Sequence, residues 1–153
     1  MRHFLMIAVA AVALAGCQQK QELSASGAWV RLPAVSGRPG AAYFTLHGGA
    51  AADTLVAVSA PFAARAEMHE TMADHDMGNA AMPMMTMAPI DKVPVPAGGA
   101  VTFAPGGRHV MLFDVAPGTR AGDSAPITLS FASGRKIEAT AKIVGAGDPP
   151  PAS

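Results

Sequence analysis

After residue 17 the apolar positions recur in short runs that alternate with polar ones at a period of two, and Gly and Pro interrupt them before a helical period can build. The pattern predicts strands over residues 28–32, 41–47, 54–59, 63–69, 100–104, 109–115, 127–131 and 136–144. Turn signals separate them, among them Gly48-Gly49, Pro96-Ala97-Gly98-Gly99, Pro105-Gly106-Gly107 and Ser133-Gly134. Seven or eight strands at this spacing predict an all-β, two-sheet sandwich with alternating inward residues as its core. The many alanines favour helices in isolation, but they stand beside too many Gly and Pro residues for long helices to form. The tail over residues 145–153, with Pro149-Pro150-Pro151, is expected to be disordered.

Composition narrows the class. The chain has 153 residues, 50% hydrophobic and 14% charged, which is one domain's worth and too apolar for a disordered protein. Eleven basic residues balance eleven acidic ones, so nothing supplies the electrostatic footprint of a nucleic-acid binder or a polybasic membrane patch. A single cysteine excludes an internal disulfide, a CxxC redox pair and a Cys-rich zinc site. Arg2 and His3 precede an apolar run over residues 4–15 that is too short for a membrane span of about 20 residues and reads as a signal peptide. The run ends in Leu14-Ala15-Gly16-Cys17, which resembles the bacterial lipobox; that resemblance implies cleavage before Cys17 and acylation of its thiol. The organisation expected is a signal peptide over 1–16, an acylated tether over 17–25, a domain over 26–144 and the tail. The alternative is a plain signal peptide with a chance cysteine nearby. Gln18 is not the Asp that resembles an inner-membrane retention signal, so the expected location is the periplasm, with the outer membrane as the preferred anchor.

The methionines carry the chemistry. Seven of the ten lie between Met68 and Met87, in a stretch that also holds His69 and His75. A core distributes its methionines over several strands, and this stretch is rich in small polar residues, so it reads as an exposed loop. Exposed thioethers beside imidazoles suit a soft metal; a flexible methionine-rich adhesive surface is the alternative. Farther on, His109 and Met111 stand two apart on a predicted strand and so share one face, just after the Pro105-Gly106-Gly107 turn. Thioether sulfur is soft and neutral, which selects Cu(I) over zinc, magnesium or calcium. Methionine also keeps its lone pairs in an oxidising compartment where paired thiols become disulfides.

Together with Ala28-Trp29-Val30-Arg31, Glu67-Met68-His69-Glu70-Thr71 and Arg108-His109-Val110-Met111-Leu112, these residues resemble the periplasmic copper chaperones of the PCuAC type, over roughly residues 25–144. The resemblance implies a cupredoxin-like (Ig-like) β-sandwich, Cu(I) delivery toward the dinuclear copper centre of cytochrome c oxidase, and His69, Met87, His109 and Met111 as ligands. The family motif looks like a His, ten residues, a Met, twenty-one residues, then His-x-Met; twenty-one residues separate Met87 from His109, but seventeen separate His69 from Met87. The excess lies in the His/Met-rich loop at 68–87, whose further donors are Met72, His75, Met77, Met82, Met84 and Met85. These are too many for one four-coordinate ion, and Asp74-His75-Asp76 adds oxygen and nitrogen, so a second, weaker Cu(I) or Cu(II) site is expected there.

The expected partners are the copper-centre subunit of cytochrome c oxidase or another copper-handling protein, and the membrane through the lipid anchor. The sequence has no G-x-S-x-G elbow, Walker loop or HExxH, and a copper oxidase or blue-copper carrier would want a His/Cys/Met site, so no enzyme is expected. A copper-sequestering resistance lipoprotein without a recipient is the alternative function, and a purely structural sandwich lipoprotein the third.

Overall fold

The computed structural model describes residues 21–73 and 85–152. Every regular element among them is a strand: β1 (Ser24–Arg31), β2 (Gly40–His47), β3 (Asp53–Ser59), β4 (Ala63–Ala73), β5 (Met85–Pro89), β6 (Val93–Val95), β7 (Ala100–Phe103), β8 (Arg108–Val115), β9 (Ser124–Phe131) and β10 (Lys136–Val144). Hydrogen bonds link them in the order β5-β4-β8-β2-β1-β10-β9-β3-β6, with β7 added against β2. The path curls back on itself, since Val56, Ala57 and Val58 of β3 border the same groove as Ala66, Glu67 and Met68 of β4. The two layers of the sandwich are therefore joined, through the parallel pairing of β1 with β10, instead of standing as separate sheets.

Alternation builds the core. In β2 Ala42, Phe44 and Leu46 are buried while Ala41, Tyr43, Thr45 and His47 face outward, and Val110 with Leu112 does the same for β8. Leu55, Ile127, Leu129 and Ile143 close the core from the other layer, and Phe44 stacks on Phe103 at 4.5 Å between centroids. In β1 the alternation breaks at a bulge between Ser26 and Trp29, where Gly27 holds φ = 60°, a left-handed conformation that side chains resist. Beyond it Trp29 packs against Tyr43, 4.4 Å between centroids and tilted by 32°.

The eight predicted strands are all present, with differences at four places. The segment expected as a loop over 68–87 is a β-hairpin arm at both of its described ends: β4 runs on to Ala73, and Met85–Pro89 pairs back onto it. Its small polar composition masked the strand period, which the partner strand enforces. β6, three residues long, was too short to announce itself. The domain begins before residue 26, because Leu23 is buried in the core and β1 starts at Ser24. The tail differs from its expected disorder as far as Ala152: Asp148 accepts the Gly145 N–H at 2.7 Å through its carboxylate, and its carbonyl accepts from the Arg31 guanidinium at 3.2 Å.

Candidate metal centre

β4 and β8 pair antiparallel with Arg65 opposite Phe113, Glu67 opposite Met111 and His69 opposite His109. Residues two apart on a strand share a face, and so do directly opposed ones, so these six side chains project from the same side of the sheet. The intervening Ala66, Met68, Val110 and Leu112 face the core. The apolar residues thus lock the register, and a slip by one residue would turn both histidines inward.

The imidazoles of His69 and His109 lie 5.9 Å apart between centroids, inclined by 27°. A metal bound at about 2 Å to one ring nitrogen sits about 3 Å from that ring's centre, so two rings on one ion stand up to about 6 Å apart. At 5.9 Å the pair lies within that limit, so one ion can reach both rings. His109 is only 7% exposed although it points away from the core. Its Nδ1–H donates to the Gly107 carbonyl at 3.0 Å, which leaves Nε2 with the lone pair. That carbonyl also accepts the Thr71 N–H at 3.2 Å, tying β4 to the turn in which Gly106 takes φ = 80°. His69 is arranged the other way round. Its Nε2–H donates to Glu67 at 3.3 Å, and its Nδ1 is buried with no hydrogen-bond partner. An orphaned buried nitrogen is costly unless something occupies it, and its lone pair suits a metal.

The methionines fall on this face or off it by parity. Met111 stands two residues from His109 and opposite Glu67. Met87 lies opposite Thr71, diagonal to His69 and about 7–8 Å from it at the backbone, within reach of a long side chain. Met85 shares its side, opposite Ala73, one step farther from the histidines. Met72 pairs with Thr86 and has the parity of Met68, so it projects from the opposite face and stands apart from this set. His75, Met77, Met82, Met84 and Cys17 lie outside the described residues. His47, by contrast, is engaged elsewhere, hydrogen-bonded to Ser26 at 2.7 Å.

Sequence reasoning missed Glu67 as part of the site, although Glu67-x-His69 on a strand is a same-face pair. Its other oxygen takes the Arg65 Nε–H at 2.9 Å, and the Arg65 guanidinium lies 4.2 Å from the Phe113 ring centre. Tyr43, one step beyond the Ala42–Val110 pair, borders the same face; burial pushes its phenol up, against the pull of Arg31, so it stays protonated. Among the described residues no three His, Cys, Asp or Glu side chains gather to hold an ion by themselves. A metal on this face would rest on two imidazoles and on thioethers.

Fold and face together define a class: a β-sandwich that presents paired imidazoles flanked by methionines on one sheet surface. The chain belongs to the LpqE-like family, whose description names a lipoprotein and whose model matches residues 23–143. Among solved structures it is similar to the apo PCuAC domain from PmoF1, at 27% identity and TM-score 0.61, over 82% of this chain and 96% of that one. CuI-DR1885 from Deinococcus radiodurans matches at 28% identity and TM-score 0.54, over 85% of this chain and 83% of that one. The copper-bound PCuAC domain from PmoF2 matches at 21% identity and TM-score 0.62, over 82% and 95%, and shows the fold alone. No curated protein matches.

Proposed function

We propose that this protein is a copper carrier that binds one Cu(I) through His69, His109, Met111 and Met87 and hands it on. The observation that carries the reading is the in-register histidine pair, whose hydrogen bonds leave the lone pair on Nδ1 of His69 and on Nε2 of His109. Two neutral imidazoles and two neutral thioethers do not cancel the ion's charge, so the ion is held firmly yet exchangeably, which suits transfer and not catalysis. The likeness to CuI-DR1885, at 28% identity, supports Cu(I) as the cargo. An anaerobic Cu(I) titration against a chromophoric chelator, on wild type and His109→Ala, tests it: the variant should bind at least tenfold more weakly, about 1.4 kcal/mol. Equal curves would remove His109 from the site.

Delivery to the dinuclear copper centre of cytochrome c oxidase belongs to the same proposal. Mixing the Cu(I)-loaded protein with the soluble copper-centre domain should move the metal; retention of all copper would favour a sequestering role instead. Abundant thioethers between Met68 and Met87 favour that second reading enough to test it by stoichiometry. A second, weaker Cu(I) or Cu(II) site in that stretch would disappear on deleting residues 74–80, which brings His69 and Met87 to ten intervening residues. Saturation of wild type at one copper would exclude it. Acylation of Cys17 and periplasmic, membrane-anchored residence complete the proposal, and a native mass beginning elsewhere with a free thiol would overturn them.

A further inference from the structure

We infer that Glu67 is a positioning residue that sets which nitrogen of His69 meets the metal, and that Arg65 aims it. This rests on the copper reading above and goes beyond it by assigning a residue that is not a ligand. Arg65, Glu67 and His69 follow at alternate positions along one face of β4, each opposite a side chain of β8. The guanidinium of Arg65 lies over Phe113 and holds one carboxylate oxygen of Glu67, so the other oxygen is turned toward His69.

A carboxylate accepts, so the His69 proton sits on Nε2 and the lone pair on Nδ1, the atom that is buried and without a partner. Without Glu67 nothing described here selects between the two tautomers. The tautomer that turns a proton toward the ion would then be populated as well, and the ring would lose the side-chain bond that orients it. Glu67 thereby orients the ring from outside the donor set. The Arg65 contact holds the carboxylate in that outer position.

The test begins without metal. In apo protein held above the imidazole titration range, the ring 15N shifts of His69 should report Nε2–H in wild type, a tautomer mixture in Glu67→Ala, and Nε2–H again in Glu67→Gln, whose amide oxygen still accepts. Cu(I) competition on the same three proteins should show at least tenfold weakening for Glu67→Ala, within the usual range for an outer-shell partner, and substantial rescue by Glu67→Gln. Glu67 is partly exposed, so amide spectra should show all three folded. An unchanged His69 ring in Glu67→Ala overturns the positioning role. A ring that responds while wild type takes up no Cu(I) overturns the copper reading, and with it the purpose assigned to Glu67.

Discussion

Met72 and Met87 form a matched pair that separates face from composition. Both lie on the β4–β5 hairpin and both are more than half exposed, at 52% and 56%. Replacing either by Leu removes the thioether and keeps the apolar volume, and at such exposed positions the stability change should stay within about 0.5 kcal/mol. Their difference lies in direction alone. Met87 projects on the side of His69 and His109, while Met72, paired with Thr86, projects on the other, and no rotamer carries its sulfur through the sheet. Loss of one thioether from a Cu(I) set of four should cost at least tenfold in affinity, about 1.4 kcal/mol, for Met87→Leu. Met72→Leu should fall within twofold of wild type. The assay is anaerobic Cu(I) competition, with thermal melts of the apo proteins to confirm equal stability. Equal weakening by both substitutions would refute the face assignment, and weakening by Met72→Leu alone would place the metal on the other side of the hairpin.

His69→Ala and His109→Ala should not be additive in a double-mutant cycle of Cu(I) affinity, with a coupling of about 0.5–3 kcal/mol if both rings hold one ion; strict additivity would separate them. Met111→Ala should weaken Cu(I) at least tenfold in the chelator titration. Phe103→Ala, which removes the ring stacked on Phe44 in the core, should cost about 3–5 kcal/mol in urea unfolding. The Ser133 hydroxyl, with further bonds from the Thr54 and Ser133 N–H groups, holds the Asp53 carboxyl below its ordinary value. A depressed carboxylate stabilises above its unfolded pKa and ceases to as pH falls through its folded one, so Asp53→Asn should lower Tm at pH 7 and the gap should close in acid.

The all-β class, most strand positions and the concentration of soft donors were fixed by local pattern alone, since period-two alternation and turn residues act over a few residues. His109 and Met111 were visible as a same-face pair for the same reason. Parity could also have flagged Glu67 beside His69. What the sequence left open depends on which strand lies next to which. That β4 extends to Ala73 follows from pairing with β5, against a local composition that suggested a loop. That His69 faces His109 across forty residues of chain follows from β4 settling beside β8, a register chosen by burial of Ala66, Met68, Val110 and Leu112. The same register puts Met87 on the histidine face and Met72 off it, a difference that composition alone does not carry. Composition determined that a soft metal could be held; only long-range pairing, driven by burying the opposite face of the strands, determined which donors meet.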